Sequence, residues 1–310
     1  SRDMKDTARS PSINEFSRPV AVTDFSLLVE KLSQNKNKGF SSEFDDIRGI
    51  PYAGTTSVAE KACNKTKNRT AKLVPFDHCR VKIEGIPAVE GSNYINASYV
   101  PGPHSPEQYV ATQTPLDHTK KDFWRLIWET GSNTIVMLCN VMEGGKKRCS
   151  EYWTKKQTEY FGNLAIQMTK QDVCKDWIVR HFSVTMRDKV RHVTQFQFMN
   201  WSVVEQGNPL PLVRFIKSYR TTRHNEYKPT IVMCSNGSGR SGVFIGLDKI
   251  VDTMTSYIDV FGTVASLRKY RPFMVQTLTE YIVMHQCIVN FIDDVTIEQP
   301  TGDGLEETIF

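Results

Sequence analysis

Residues 231–244 read IVMCSNGSGRSGVF, and they leave the chain little freedom. A short apolar run breaks into a turn carrying Gly237, Gly239 and Gly242, then passes into a second apolar stretch of helical character. Bounded by turn residues, the first run reads as a buried strand. Strand, tight turn and helix in immediate succession belong to an α/β domain.

The flanking sequence agrees. Residues 1–22 are polar and read as a flexible N-terminal arm, and 296–310 as a disordered tail. Between them the chain reads as one α/β domain, residues 23–295. TDFSLLVEKLSQ has apolar residues at helical spacing, and SSEFDDIRGI reads as a second helix with Ser41 as its N-cap. From about 80 to 200 the texture is that of strands: RVKI, YINASYV, YVATQT, TIVML, LAIQMTK, IVRHFSVTM and VTQFQFM. One helix interrupts them, PLDHTKKDFWRLIWETG, with Pro115 near its start and Phe123, Trp124, Ile127 and Trp128 on one core-facing side. After 210 come PLVRFIKSYRTTR, GRSGVFIGLDKIVDTMTSYI, TVASLRKYR and LTEYIVMHQCIVNFIDDV, all helical in pattern.

Composition narrows the function. At 310 residues, 39% apolar and 24% charged, the chain is an ordinary globule with room for a full core. No apolar run approaches the roughly 20 residues that span a bilayer, and the start lacks a secretory signal, so no membrane insertion is expected. Seven cysteines without CxxC spacing indicate neither a disulfide framework nor a zinc site; reduced thiols in the cytoplasm, with no metal and no cofactor, are expected. The Asn-x-Ser triplets at Asn96 and Asn236 are then chance matches. A net charge of +5 is spread over local groups such as EGGKKRC and KACNKTKNRTAK. It reads either as a solvated basic face or as a surface receiving an anionic group, and no motif supports nucleic acid.

The turn can be read three ways. Gly237, Gly239 and Gly242 spell G-x-G-x-x-G with Asp259 about 20 residues on, as in dinucleotide folds. Too little chain follows for the second half of such a fold. A purely structural turn explains the glycines but not the polar density of CSNGSGRS. An oxyanion cradle explains both: backbone N–H groups converge and the helix N-terminus adds its field. Arg240 then grips two oxygens. Cys234 at the bottom of that field favours the nucleophilic thiolate, with Ser241 placed to donate a hydrogen bond to it.

Cys234–Gly242 resembles the signature loop of the protein tyrosine phosphatases, His-Cys-Ser-x-Gly-x-Gly-Arg-Ser/Thr-Gly. KNRTAKLVPFDHCRVKI is similar to the family's phosphotyrosine-recognition loop, VTQFQFMNW to the lead into its acid loop, and SLRKYRPFMVQTLTEY to its glutamine loop. The resemblance runs from about 40 to 293. It implies a strongly twisted mixed sheet flanked by helices, with the Cys-x5-Arg phosphate-binding loop between a strand and a helix. It also implies phosphate held by Cys234, Ser235, Asn236, Gly237, Ser238, Gly239 and Arg240. By the same resemblance Glu143 orients the arginine, Arg148 stands in place of a nearby lysine, and Gln276 positions water.

Several positions depart from the family pattern. Releasing a phenolate of pKa about 10 takes a general acid, worth roughly 10²–10⁴ in rate. Where the family has Trp-Pro-Asp, this chain keeps Trp201 but has Ser202 and Val203, in a longer loop whose nearest carboxylic acid is Glu205. Met233 replaces the histidine before the cysteine, Thr70 the tyrosine walling the slot, and Lys72 an acid that holds the substrate main chain. The reading is a catalytically inactive or severely impaired phosphatase domain, a pseudophosphatase, in the cytoplasm on its own or within a membrane-associated protein. It would bind a phosphotyrosine protein or peptide, a phosphorylated kinase among them, to regulate or sequester it. The alternatives are an active phosphatase using Glu205, and a non-catalytic scaffold or second domain of a receptor.

Overall fold

The computed structural model describes residues 16–154, 157–223 and 228–298. Nine strands form one mixed sheet: β1 (Arg80–Lys82), β2 (Tyr94–Val100), β3 (Tyr109–Gln113), β4 (Thr134–Met137), β5 (Glu159–Phe161), β6 (Leu164–Val173), β7 (Trp177–Met186), β8 (Lys189–Phe198) and β9 (Thr230–Cys234). Their order is β1-β2-β3-β9-β4-β8-β7-β6-β5. β9 runs parallel to β3 and β4, and β8 runs parallel to β4, while the remaining pairs are antiparallel. The cysteine therefore ends an interior strand, fixed on both sides. The expected α/β class and twisted mixed sheet are as found, with β5 a strand that the sequence reading did not separate.

Apart from the four-residue helices Ser57–Glu60 and Ala62–Lys65, the α-helices among the described residues are α1 (Phe25–Arg48), α2 (Lys120–Thr130), α3 (Trp201–Glu205), α4 (Leu210–Thr222), α5 (Gly239–Thr253), α6 (Val260–Leu267) and α7 (Leu278–Glu298). Strand side chains alternate between faces, and β9 divides accordingly. Ile231 and Met233 join Phe123, Trp124 and Ile127 of α2 in one core cluster, and Val232 and Cys234 join α1, α4, α5, α6 and α7 in the other. The α2 aromatics are core, as their spacing predicts. Each fully buried large apolar side chain contributes about 1.5–3 kcal/mol.

Five boundaries differ from expectation. Ser41 is no N-cap: α1 is interrupted at Gln34–Asn37, and the second half starts before Ser41. There Gly39 packs against the first half, where a Cβ would meet Leu32 Cα at 2.7 Å. Pro115 lies outside α2, whose N-cap is Thr119. The helix after the turn stops at Thr253, because Tyr257–Ile258 pairs with Val20–Ala21. The end of the expected arm is thereby docked: Ser17 Oγ and Arg18 N donate to Asp259, and the Arg18 guanidinium lies 3.6 Å above the Phe261 ring. Residues 1–15 and 299–310 of the expected arm and tail lie outside the described residues, while 296–298 continue α7.

α7 carries a buried histidine against α1. His285 stacks on Phe25 and meets Phe40 and Tyr281 edge-on. Burial depresses its pKa to about 4, so the unfolded chain takes up a proton that the folded one refuses. Stability is expected to fall by up to about 3 kcal/mol as pH drops from about 6.5 towards 4. His285→Gln should flatten that slope in thermal melts recorded at pH 7 and pH 5.

Candidate active site

The three glycines of the turn serve close approach. Gly237 has φ +74°, and a Cβ there would lie 2.4 Å from the Thr112 carbonyl carbon in β3. A Cβ at Gly242 would lie 2.4 Å from Val275 N, and one at Gly239 2.5 Å from Glu280 Oε1. The nucleotide reading fails at Asp259, which caps α6 by accepting from Gly262 N at 2.6 Å and belongs to no second βα unit.

At the turn's base Cys234 is 2% exposed. Ser241 Oγ donates to its Sγ at 3.3 Å, the contact expected of it. Arg240 comes back over the turn: its Nη1 donates to Glu143 Oε1 at 2.8 Å and Leu138 O at 3.1 Å, and its guanidinium lies 5.3 Å from the Trp201 ring. Burial opposes the Arg240 charge, but the bond to Glu143 outweighs it and holds the guanidinium above its ordinary value. Burial likewise opposes Glu143 ionisation, yet Arg240 and the Asn140 N–H keep that carboxyl below its usual range. Arg148 Nε is buried without a hydrogen-bond partner, 3.9 Å from the other Glu143 oxygen. The carboxylate thus orients one arginine and faces a second.

Asn236 turns inward. Its Oδ1 accepts from Ser238 N at 2.9 Å and Gly239 N at 3.2 Å and lies 3.4 Å from Cys234 Sγ. Its Nδ2 donates to Gln276 Oε1 at 2.8 Å. Gln276 is held in turn by Glu280, whose Oε2 accepts from Gln276 N and Thr277 N. Thr277 Oγ1 accepts from Glu280 N, closing a capping box at the head of α7. Burial, with the like charge of Glu205 adding to it, raises the Glu280 pKa.

The acid loop is a short helix here. α3 buries Trp201 against Phe198 and leaves Ser202 and Val203 exposed, Val203 at 37%. Glu205 lies one helical turn past Trp201, and its Oε1 accepts from the indole N–H at 2.9 Å. The one nearby carboxylate named from sequence is therefore already engaged. Met233 is fully buried on the opposite face from Cys234, where the Tyr152 hydroxyl donates to its sulfur at 3.7 Å. It brings no charge to the thiol. Thr70 and Lys72 are exposed.

Two arginines that the sequence reading did not single out hold the turn from outside. Arg69 Nε donates to Ser235 O at 3.1 Å, and its Nη2 to Thr114 O at 3.1 Å and Pro115 O at 3.3 Å. Arg271 donates from behind to Asn236 O, Ser238 Oγ, Ser98 Oγ and Asn96 Oδ1. Both lie inside quoted motifs, but an arginine's burial is invisible in the sequence. The TLTE pattern at 277–280 was the visible signal for Glu280.

Comparison with known proteins agrees with this geometry. The family model for protein-tyrosine phosphatase matches residues 64–290. The phosphatidylinositol phosphatase PTPRQ of Homo sapiens is 38% identical over 292 residues, 92% of this chain and 12% of that protein. Receptor-type tyrosine-protein phosphatase eta of Mus musculus is 35% identical over 283 residues, 89% of this chain and 23% of that protein. A tyrosine-protein phosphatase Lar-like of Caenorhabditis elegans is 34% identical over 291 residues, 91% of this chain and 13% of that protein. The chain thus spans under a quarter of the length of each of these relatives. It belongs to the protein-tyrosine phosphatase family.

Proposed function

We propose that this domain is an inactive or severely impaired phosphatase that captures phosphotyrosine on a partner protein and shields or regulates it. The observation that carries the reading is Val203 at the acid position, with Glu205 committed to the Trp201 indole. Cys234, Arg240, Ser241 and the Glu143 brace keep the arrangement needed to hold a phosphate. Val203 itself has no proton to give a leaving phenolate, and the Glu205 carboxylate is already bonded to the Trp201 indole. A phosphorylated kinase segment is one partner of this chemistry. We place the domain in the cytoplasm, where its seven free thiols stay reduced, alone or within a receptor. No helix among the described residues is long and apolar enough to cross a membrane.

Calorimetry with a phosphotyrosyl peptide tests capture. Wild type is expected to bind, and Arg240→Ala to bind about 10–100-fold more weakly, the worth of hydrogen bonds to a charged group. Absence of binding by wild type would favour a pure scaffold. A phosphoinositide headgroup is a second reading, suggested by the name of the PTPRQ relative and by Thr70 and Lys72, both exposed, which stand where the family has the slot-walling tyrosine and an acid. Tighter binding of a soluble inositol phosphate than of the peptide would support it.

A further inference from the structure

An anion cradle works by leaving backbone N–H groups unspent for the oxyanion. In this turn two of them are spent already, because Ser238 N and Gly239 N both donate to Asn236 Oδ1. That oxygen also lies 3.4 Å from Cys234 Sγ. An amide oxygen therefore occupies the point where the cradle's donors and its thiol converge, the point that an oxygen of a bound phosphate would claim. An asparagine serving only as a helix cap needs just the two N–H bonds. Here the other end of the carboxamide is fixed as well, by the bond from Nδ2 to Gln276 Oε1, so the side chain spans the site from turn to glutamine loop.

We infer that Asn236 is an internal occupant of the cradle and sets its affinity for oxyanions. This deepens the function proposed above and rests on it. A phosphate monoester enters once the carboxamide swings out, and it must replace the hydrogen bonds that Asn236 makes to the turn and to Gln276. The same movement frees Gln276, whose side-chain oxygen is otherwise taken up. Apparent affinity is lowered by the fraction of molecules in which the side chain is still in place. Neutral hydrogen bonds are individually modest, so removing the side chain is expected to tighten oxyanion binding roughly tenfold.

Sodium tungstate, a tetrahedral oxyanion, is the probe. It is titrated by calorimetry into wild type, Asn236→Ala and the double variant Asn236→Ala, Arg240→Ala. About tenfold tighter binding by Asn236→Ala, lost again in the double variant, is the expected result. Equal affinity of Asn236→Ala and wild type overturns the inference and leaves the cradle intact. Failure of both to bind sinks the cradle reading itself, and this inference with it. A second readout needs no variant: the side-chain amide resonances of Asn236 in ¹⁵N-labelled wild type should move on saturation with tungstate. Resonances that stay in place while tungstate binds contradict the inference.

Discussion

Arg271→Met is expected to cost about 3 kcal/mol of stability and to abolish oxyanion binding. Arg271 is 0% exposed, and its partners are neutral oxygens: Asn96 Oδ1 at 2.6 Å, Asn236 O at 3.0 Å, Ser98 Oγ at 3.1 Å and Ser238 Oγ at 3.3 Å. Burial lowers its pKa to about 10, which still leaves it charged at neutral pH. The guanidinium thus ties β2 to the turn and places a positive charge beneath it. Methionine fills similar volume with a flexible side chain, so the loss is one of bonding and charge more than of packing. The acceptors on Asn96, Ser98 and Ser238 belong to residues no more than 1% exposed, and they lose their guanidinium donor. Arg271→Lys should fall between, since an ammonium cannot reproduce the planar fork. Urea unfolding gives the stability change and calorimetry the binding; a methionine variant matching wild type in both would refute the bracing role.

Val203→Asp is expected to raise turnover of a phosphotyrosyl peptide about 10²-fold, the low end of the range for a general acid. Val203 is 37% exposed on α3, while Trp201 of the same helix is held by Phe198 and Arg240, so a carboxyl at 203 meets no steric barrier. The gain is held to the low end because other parts stay altered. Met233 gives the thiol no charge, and Asn236 occupies the donors of Ser238 and Gly239.

The strand–turn–helix, the α2 core face and the helices after 210 were legible because each rests on local patterning, period 2 or 3.6 with turn residues at the breaks. Ser41 looks like a cap because it is a Ser before acidic residues; the break lies earlier, where Asn35, Lys36 and Asn37 take left-handed backbone conformations. The docking of Ser17 and Arg18 on Asp259 joins residues about 240 apart, beyond any local signal. In the site, Cys234, Arg240, Ser241 and Glu143 were readable from spacing and resemblance. Arg69 and Arg271 were not, because their roles depend on burial. Asn236 was read as a phosphate ligand by position, whereas its side chain turns into the cradle and engages Gln276.

The central claim is phosphate capture without turnover, and steady-state hydrolysis of one phosphotyrosyl peptide by wild type and Val203→Asp tests it most directly. Wild type should turn over at least roughly 100-fold below the ordinary enzyme range of about 1–10³ s⁻¹, with Val203→Asp faster by about 10²-fold. Wild-type turnover within that range, with no gain from Val203→Asp, would contradict the account and return Glu205 as the acid.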